Sequence, residues 1–257
     1  MPIYWRAYNA EVLKGRMKRY EVAVIRRAVT RVIRKVGRRR VRVTADRGFA
    51  DVALFTLLSD LGVAFVIRVK KSTKICLAGA WQRLDTLRFA GNTRRRTLGR
   101  LLYCAHTPKP LWVTMSRKRD AHGHWGLWYL VANRPYTAEQ AVAEYAHRPG
   151  CEAGFRDAKW WLGFAQARVK QIMAWSRLFA LFAIALLVVV SLATRLLLQG
   201  DHHASVLLRR VVSRRRGRCE LSLISAMISL LHQEPALYAH LAPRIKLKLE
   251  GDLANVS

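Results

Sequence analysis

The sequence is 257 residues long and 52% apolar, with 46 lysines and arginines against 16 aspartates and glutamates, a formal charge of +30. That is enough apolar material for one large core or two small ones, and the charge excludes a basic partner and selects polyanions. Nucleic acid fits, and so by charge alone would a ribosomal-type RNA or an anionic membrane surface.

Four scattered cysteines, with no C-x2-C pair and no histidine at metal spacing, argue against zinc and against a disulfide framework. Met-Pro-Ile-Tyr-Trp-Arg at the start lacks the apolar stretch of a secretory signal, and its strand-like opening without a cap or turn reads as an internal start. Residues 21–36 carry a helical stripe of Val22, Val24, Ile25, Ala28, Val32, Ile33 and Val36, with the cations outside it. Gly37-Arg-Arg-Arg40 then reads as a basic turn, either a solvated face or a direct DNA contact.

Val41-Arg-Val-Thr-Ala is a β-branched strand that ends in Asp46, and Gly48 lets the chain turn after it. Residues 51–61 predict a helix with Leu54, Leu57, Leu58 and Leu61 inward, and 63–69 a strong strand. From 70 to 124 the pattern becomes short β runs between basic and turn residues, with Asp120-Ala-His-Gly123 as a hairpin turn. Trp81, Trp112 and Trp125 lie among these cations, a mixture suited to gripping a DNA backbone, though each tryptophan taken singly reads as core.

Residues 125–132 predict a strand, and Thr137-Ala-Glu-Gln140 a capping box that opens a helix. Tyr145, Arg148, Glu152 and Lys159 follow at offsets 0, 3, 7 and 14, which on one continuous helix fall within an arc of about sixty degrees. A carboxylate flanked by two cations and a phenol suits a site that holds a divalent metal and grips phosphates; the plainer reading is a charged surface helix. Pro149-Gly150 falls inside this spacing, so the helix is expected to kink or to restart at Pro149.

Residues 178–193 are sixteen uncharged residues between Arg177 and Arg195, too short for the twenty or so that a span wants, and read as a buried helix. His202 and His203 have no third ligand in view, and one further apolar helix is expected over 222–231.

The Ala-Asp46-Arg-Gly-Phe49 element, the strand Tyr129 to Arg134 and the later Y-x2-R-x3-E-x6-K together resemble the DDE transposases of bacterial insertion sequences, in the branch often called IS-four. The resemblance reaches from about residue 1 to 200. It implies an α/β (α+β) fold, an RNase H-like mixed sheet with flanking helices interrupted by a β-rich insertion. On that plan residues 1–69 are the first part of the catalytic core, 70–124 the insertion, 125–198 the rest of the core with the signature helix and a buried apolar helix, and 199–257 a basic helical tail.

The resemblance also implies Mg2+-dependent strand cleavage and transfer on DNA through a two-metal site, which Mn2+ can also fill. Asp46 and Glu152 would be catalytic metal ligands, and Tyr145, Arg148 and Lys159 would hold the phosphates beside the cut. Its partners would be double-stranded DNA, at transposon ends and target, with room for a homodimer on DNA and no membrane, in a bacterial cytoplasm at the nucleoid.

The family's first catalytic aspartate ends a strand upstream of this element, whereas Asp46 is the first aspartate of this sequence, so the copy is expected to be N-terminally truncated and incomplete. Two carboxylates hold catalytic metal poorly, and a non-catalytic basic DNA-binding relic is the competing reading, with a basic membrane protein last.

Overall fold

A computed structural model of the protein describes residues 14–89, 93–119, 125–148, 159, 166, 168–198, 214–215, 218–219, 227–228 and 232. Residues Tyr8–Gly150 make one compact unit, and Met1–Ala7 with Cys151–Ser257 another.

In the first unit, helix α1 (Met17–Val36) starts four residues ahead of the predicted position. Its Val22, Ile25, Val29, Val32 and Ile33 lie on the core, while Val36 is exposed. Gly37 ends the helix at φ 83°, a left-handed conformation that glycine adopts without strain, and its N–H reaches the Ile33 carbonyl at 2.9 Å. A 3-10 turn of Arg38–Arg40 leads into strand β1 (Arg42–Ala45). Helix α2 (Val52–Asp60) is capped by Asp51, buries Leu54, Phe55, Leu57 and Leu58, and crosses to strand β2 (Ala64–Arg68), which pairs parallel with β1.

The five strands that follow are β3 (Lys74–Leu77), β4 (Ala80–Arg83), β5 (Arg95–Tyr103), β6 (Lys109–Arg119) and β7 (Trp125–Ala132). The strands within the expected insertion, β3 to β6, lie in the same sheet as the core strands β1, β2 and β7. β7 pairs antiparallel with β2, so all seven strands join one mixed sheet in the order β1-β2-β7-β6-β5-β3-β4. The RNase H-like mixed sheet with flanking helices is thus present, and the strands of the expected insertion widen it. The hairpin turn expected at 120–123 lies outside the described residues, but β6 and β7 enter it paired Arg119↔Trp125.

Each face of the sheet is covered. Phe65, Ile67, Val113, Met115, Tyr129 and Val131 meet α1 and α2 on one side. On the other, Val66, Leu130 and Ala132 meet helix α3 (Ala138–Tyr145). Central strands buried on both faces must be apolar at every position, which β2 is from Ala64 to Ile67. Asn133 acts as a short piece of strand, accepting from the Phe65 N–H at 3.1 Å and donating to the Val63 carbonyl at 2.8 Å.

The capping box at α3 is present: Thr137 Oγ1 accepts from Gln140 N at 3.2 Å, and Gln140 Oε1 from Thr137 N at 2.9 Å. Thr97 on β5 takes a further helix-end donor, Ala138 N, at 2.9 Å. Thr137→Ala is expected to cost about 1 kcal/mol in urea unfolding.

Tyr129 is buried, and among the described residues its phenol oxygen finds no hydrogen-bond partner. Removing an unsatisfied buried oxygen leaves the packing and deletes a desolvation cost, so Tyr129→Phe should leave the urea midpoint unchanged or raise stability by about 1 kcal/mol. A fall of that size would show that the hydroxyl is satisfied in solution.

In the second unit, helix α4 (Ile172–Leu198) is longer than the sixteen-residue run suggested. Burial was expected for it, and the structure corrects that: Ala183, Leu186 and Ala193 are buried, but Met173, Leu181 and Ile184 are 65%, 63% and 58% exposed. A helix that is apolar all round has more faces than one layer can cover. By length and composition alone, Ile172–Thr194 would suffice to cross a membrane. The C-terminal tail was expected to be helical; there, Arg214–Arg215 pairs antiparallel with Arg218–Cys219, and most of 199–257, including His202 and His203, lies outside the described residues.

Candidate active site at the carboxyl end of the first strand

Asp46 follows β1 directly. Its backbone stays extended at φ −78° and ψ 168°, and its Oδ1 accepts the Arg47 N–H at 2.6 Å, which starts the 3-10 turn Arg47–Phe49. That turn sends the chain away and leaves the carboxylate at the sheet's end, 35% exposed.

Arg148 reaches it from 102 residues further along the chain, with Nη2 3.4 Å from Asp46 Oδ2. Tyr145 is the last residue of α3 and is 3% exposed. Its ring meets Trp128 edge to face, with centroids 5.2 Å apart. Burial raises the Tyr145 phenol above its ordinary pKa, the Asp46 carboxylate raises it further, and Arg148 and Arg68 pull it down. The phenol therefore stays protonated at neutral pH and serves as a donor rather than a base.

Arg68 was not singled out by the sequence reading. It ends β2, one step past the Ala45↔Ile67 pair, so it stands level with Asp46 on the neighbouring strand. Its positive charge pulls the Tyr145 phenol's pKa down, and its guanidinium sits 5.1 Å from the Trp128 ring centroid. Only the pairing reveals it: two parallel strands, one ending in Asp and the next in Arg, put those ends side by side. An ion pair of Arg42 with Glu144 ties α3 to β1 on the same face and so helps fix Tyr145 and Arg148.

The helix breaks within the motif, as Pro149-Gly150 led us to expect, and it does so before the proline. α3 ends at Tyr145, and residues 146–148 form a turn in which Arg148 N bonds the Tyr145 carbonyl at 3.0 Å. Pro149 explains the stop, because a residue before proline is pushed out of the helical region. Glu152, Trp160 and Trp161 lie outside the described residues; Lys159 is helical and exposed, in the other unit. Among the described residues, no group of three or more His, Cys, Asp or Glu side chains could hold a metal ion.

The mixed sheet thus presents a carboxylate at the end of a strand, with a guanidinium beside it and a buried phenol close by. The family model of the transposase DDE domain matches residues 12–188, more than half of the chain, and the chain belongs to that family. No individual curated protein matches the sequence.

Proposed function

We propose that this chain is the catalytic portion of a DNA transposase of the insertion-sequence branch with the Y-x2-R-x3-E-x6-K signature. The observation that supports it best is the meeting of Tyr145 and Arg148, from one motif, with Asp46, from the other. In this reading the substrate is double-stranded DNA, at transposon ends and then at a target, with two protomers assembling on it in the cytoplasm at the nucleoid.

Asp46 suits Mg2+, a hard ion that takes one or two carboxylates and keeps several waters. Glu152 would be the second ligand. A third carboxylate would come on a strand added to the edge of β1, which pairs only with β2 among the described strands. When bound, a divalent pair supplies an activated water and Lewis-acid stabilisation of the phosphoryl oxygens.

Arg148 would turn its fork from Asp46 to a non-bridging phosphate oxygen, and the Tyr145 phenol would donate to another. Lys159 would add a point charge on the same strand. The reaction class is phosphoryl transfer: the oxygen of water, and later of the freed 3′-hydroxyl, bonds phosphorus as a phosphodiester oxygen leaves.

The test is end cleavage of a plasmid that carries this gene with its flanking DNA, in Mg2+ and in EDTA. Mg2+-dependent cuts at two fixed positions support the reading. DNA binding without cuts would overturn it in favour of the non-catalytic relic.

A further inference from the structure

At the far end of the β6–β7 ribbon, Trp125 is 49% exposed, with the Arg94 guanidinium 5.3 Å and the Arg119 guanidinium 4.8 Å from its ring centroid. These three residues line a cleft of about 600 Å³ together with Arg95, Arg117 and Lys118. Glu139 is the single acid among the described residues of the lining, 3.7 Å from Arg95. Five cations against one carboxylate repel one another, and a polyanion relieves that repulsion. A guanidinium held against an aromatic ring still points its edge N–H groups outward, the geometry that grips phosphate.

The strand registers place this cleft. Asp46 lies level with Arg68, which pairs with Leu130, and Trp125 is five residues further along β7 in the direction in which β1 ends. At about 3.4 Å per residue the ribbon runs roughly 17 Å past the carboxylate, and two strand spacings add a lateral step of roughly 10 Å. The separation is about 20 Å, the rise of some six base pairs at about 3.4 Å each.

We propose that this cleft grips the phosphodiester backbone of double-stranded DNA, about six base pairs from the position held at Asp46. The distance to a cut rests on the transposase reading; the binding itself does not. The contact is independent of base sequence, since guanidinium and indole here address phosphate and sugar rather than base edges.

The test is fluorescence anisotropy of a labelled 30-base-pair random duplex with the full chain in EDTA, titrated across salt concentrations. Arg94→Ala with Arg119→Ala should weaken binding about tenfold and lower the salt slope by about two. Arg26→Ala with Arg34→Ala, the same charge removed from exposed positions on α1, should change affinity less than about threefold. Arg94→Lys with Arg119→Lys keeps the charge and the fold, and should show an intermediate loss. Equal losses from the cleft pair and the α1 pair, or an unchanged salt slope, would overturn the grip. Because no metal is present, a failure of cleavage chemistry would leave this result untouched.

Discussion

Replacing Asp46 with asparagine is expected to lower Mg2+-dependent end cleavage by about a thousandfold or more, a change of about 4 kcal/mol in the barrier, while DNA binding stays within about twofold. Asparagine keeps the side-chain shape and can still accept the Arg47 N–H through its oxygen. What it loses is the charge, and with it the hard anionic ligand that a divalent cation needs. Binding should persist because +30 of formal charge is spread over the whole chain. The comparison is made by the plasmid assay in Mg2+; undiminished cleavage by Asp46→Asn would remove Asp46 from the site.

Phe55→Ala should destabilise the first unit by about 3–5 kcal/mol, the range for deleting a buried aromatic ring. Phe55 is fully buried, stacks on Phe65 with centroids 5.4 Å apart, and meets Tyr103 edge to face at 5.5 Å. It therefore joins α2, β2 and β5, elements that no single neighbour could hold together in its place. With domain stabilities of about 5–15 kcal/mol, a loss of this size shifts the urea midpoint strongly. A cost under about 1 kcal/mol would mean that the cavity collapses, and that α2 is not the support of β1 and β2 it is taken to be.

Local chemistry was legible in the sequence wherever neighbours decide the outcome. The strand ending in Asp46, the leucines of α2, the capping box of Thr137 and Gln140, and β7 from Trp125 to Ala132 all stand where residue pattern alone put them. What depended on distant partners was not legible. The apolar run marks β7 as a strand, but nothing in it says that Ala132 pairs with Val66 on one side and with Trp112 on the other, the contacts that join the strands of the expected insertion to the core sheet.

Arg68 was missed for the same reason, since its meaning comes from the register of two strands rather than from its own neighbourhood. In the motif helix, 3.6-residue spacing competed with a proline, and the proline prevailed at Tyr145. An all-apolar stretch looks buried in sequence; α4 shows that apolarity alone does not say which face finds a partner.

The proposed sharing of a metal by Asp46 and Glu152 is tested most directly by loading the protein with Fe2+ in place of Mg2+, adding ascorbate and peroxide, and mapping where hydroxyl radicals cut the polypeptide. Cuts next to both Asp46 and Glu152, suppressed by excess Mg2+ and lost in Asp46→Asn, are the result expected if the two carboxylates share the metal. Cuts beside only one of them, or a pattern indifferent to Mg2+, would contradict it.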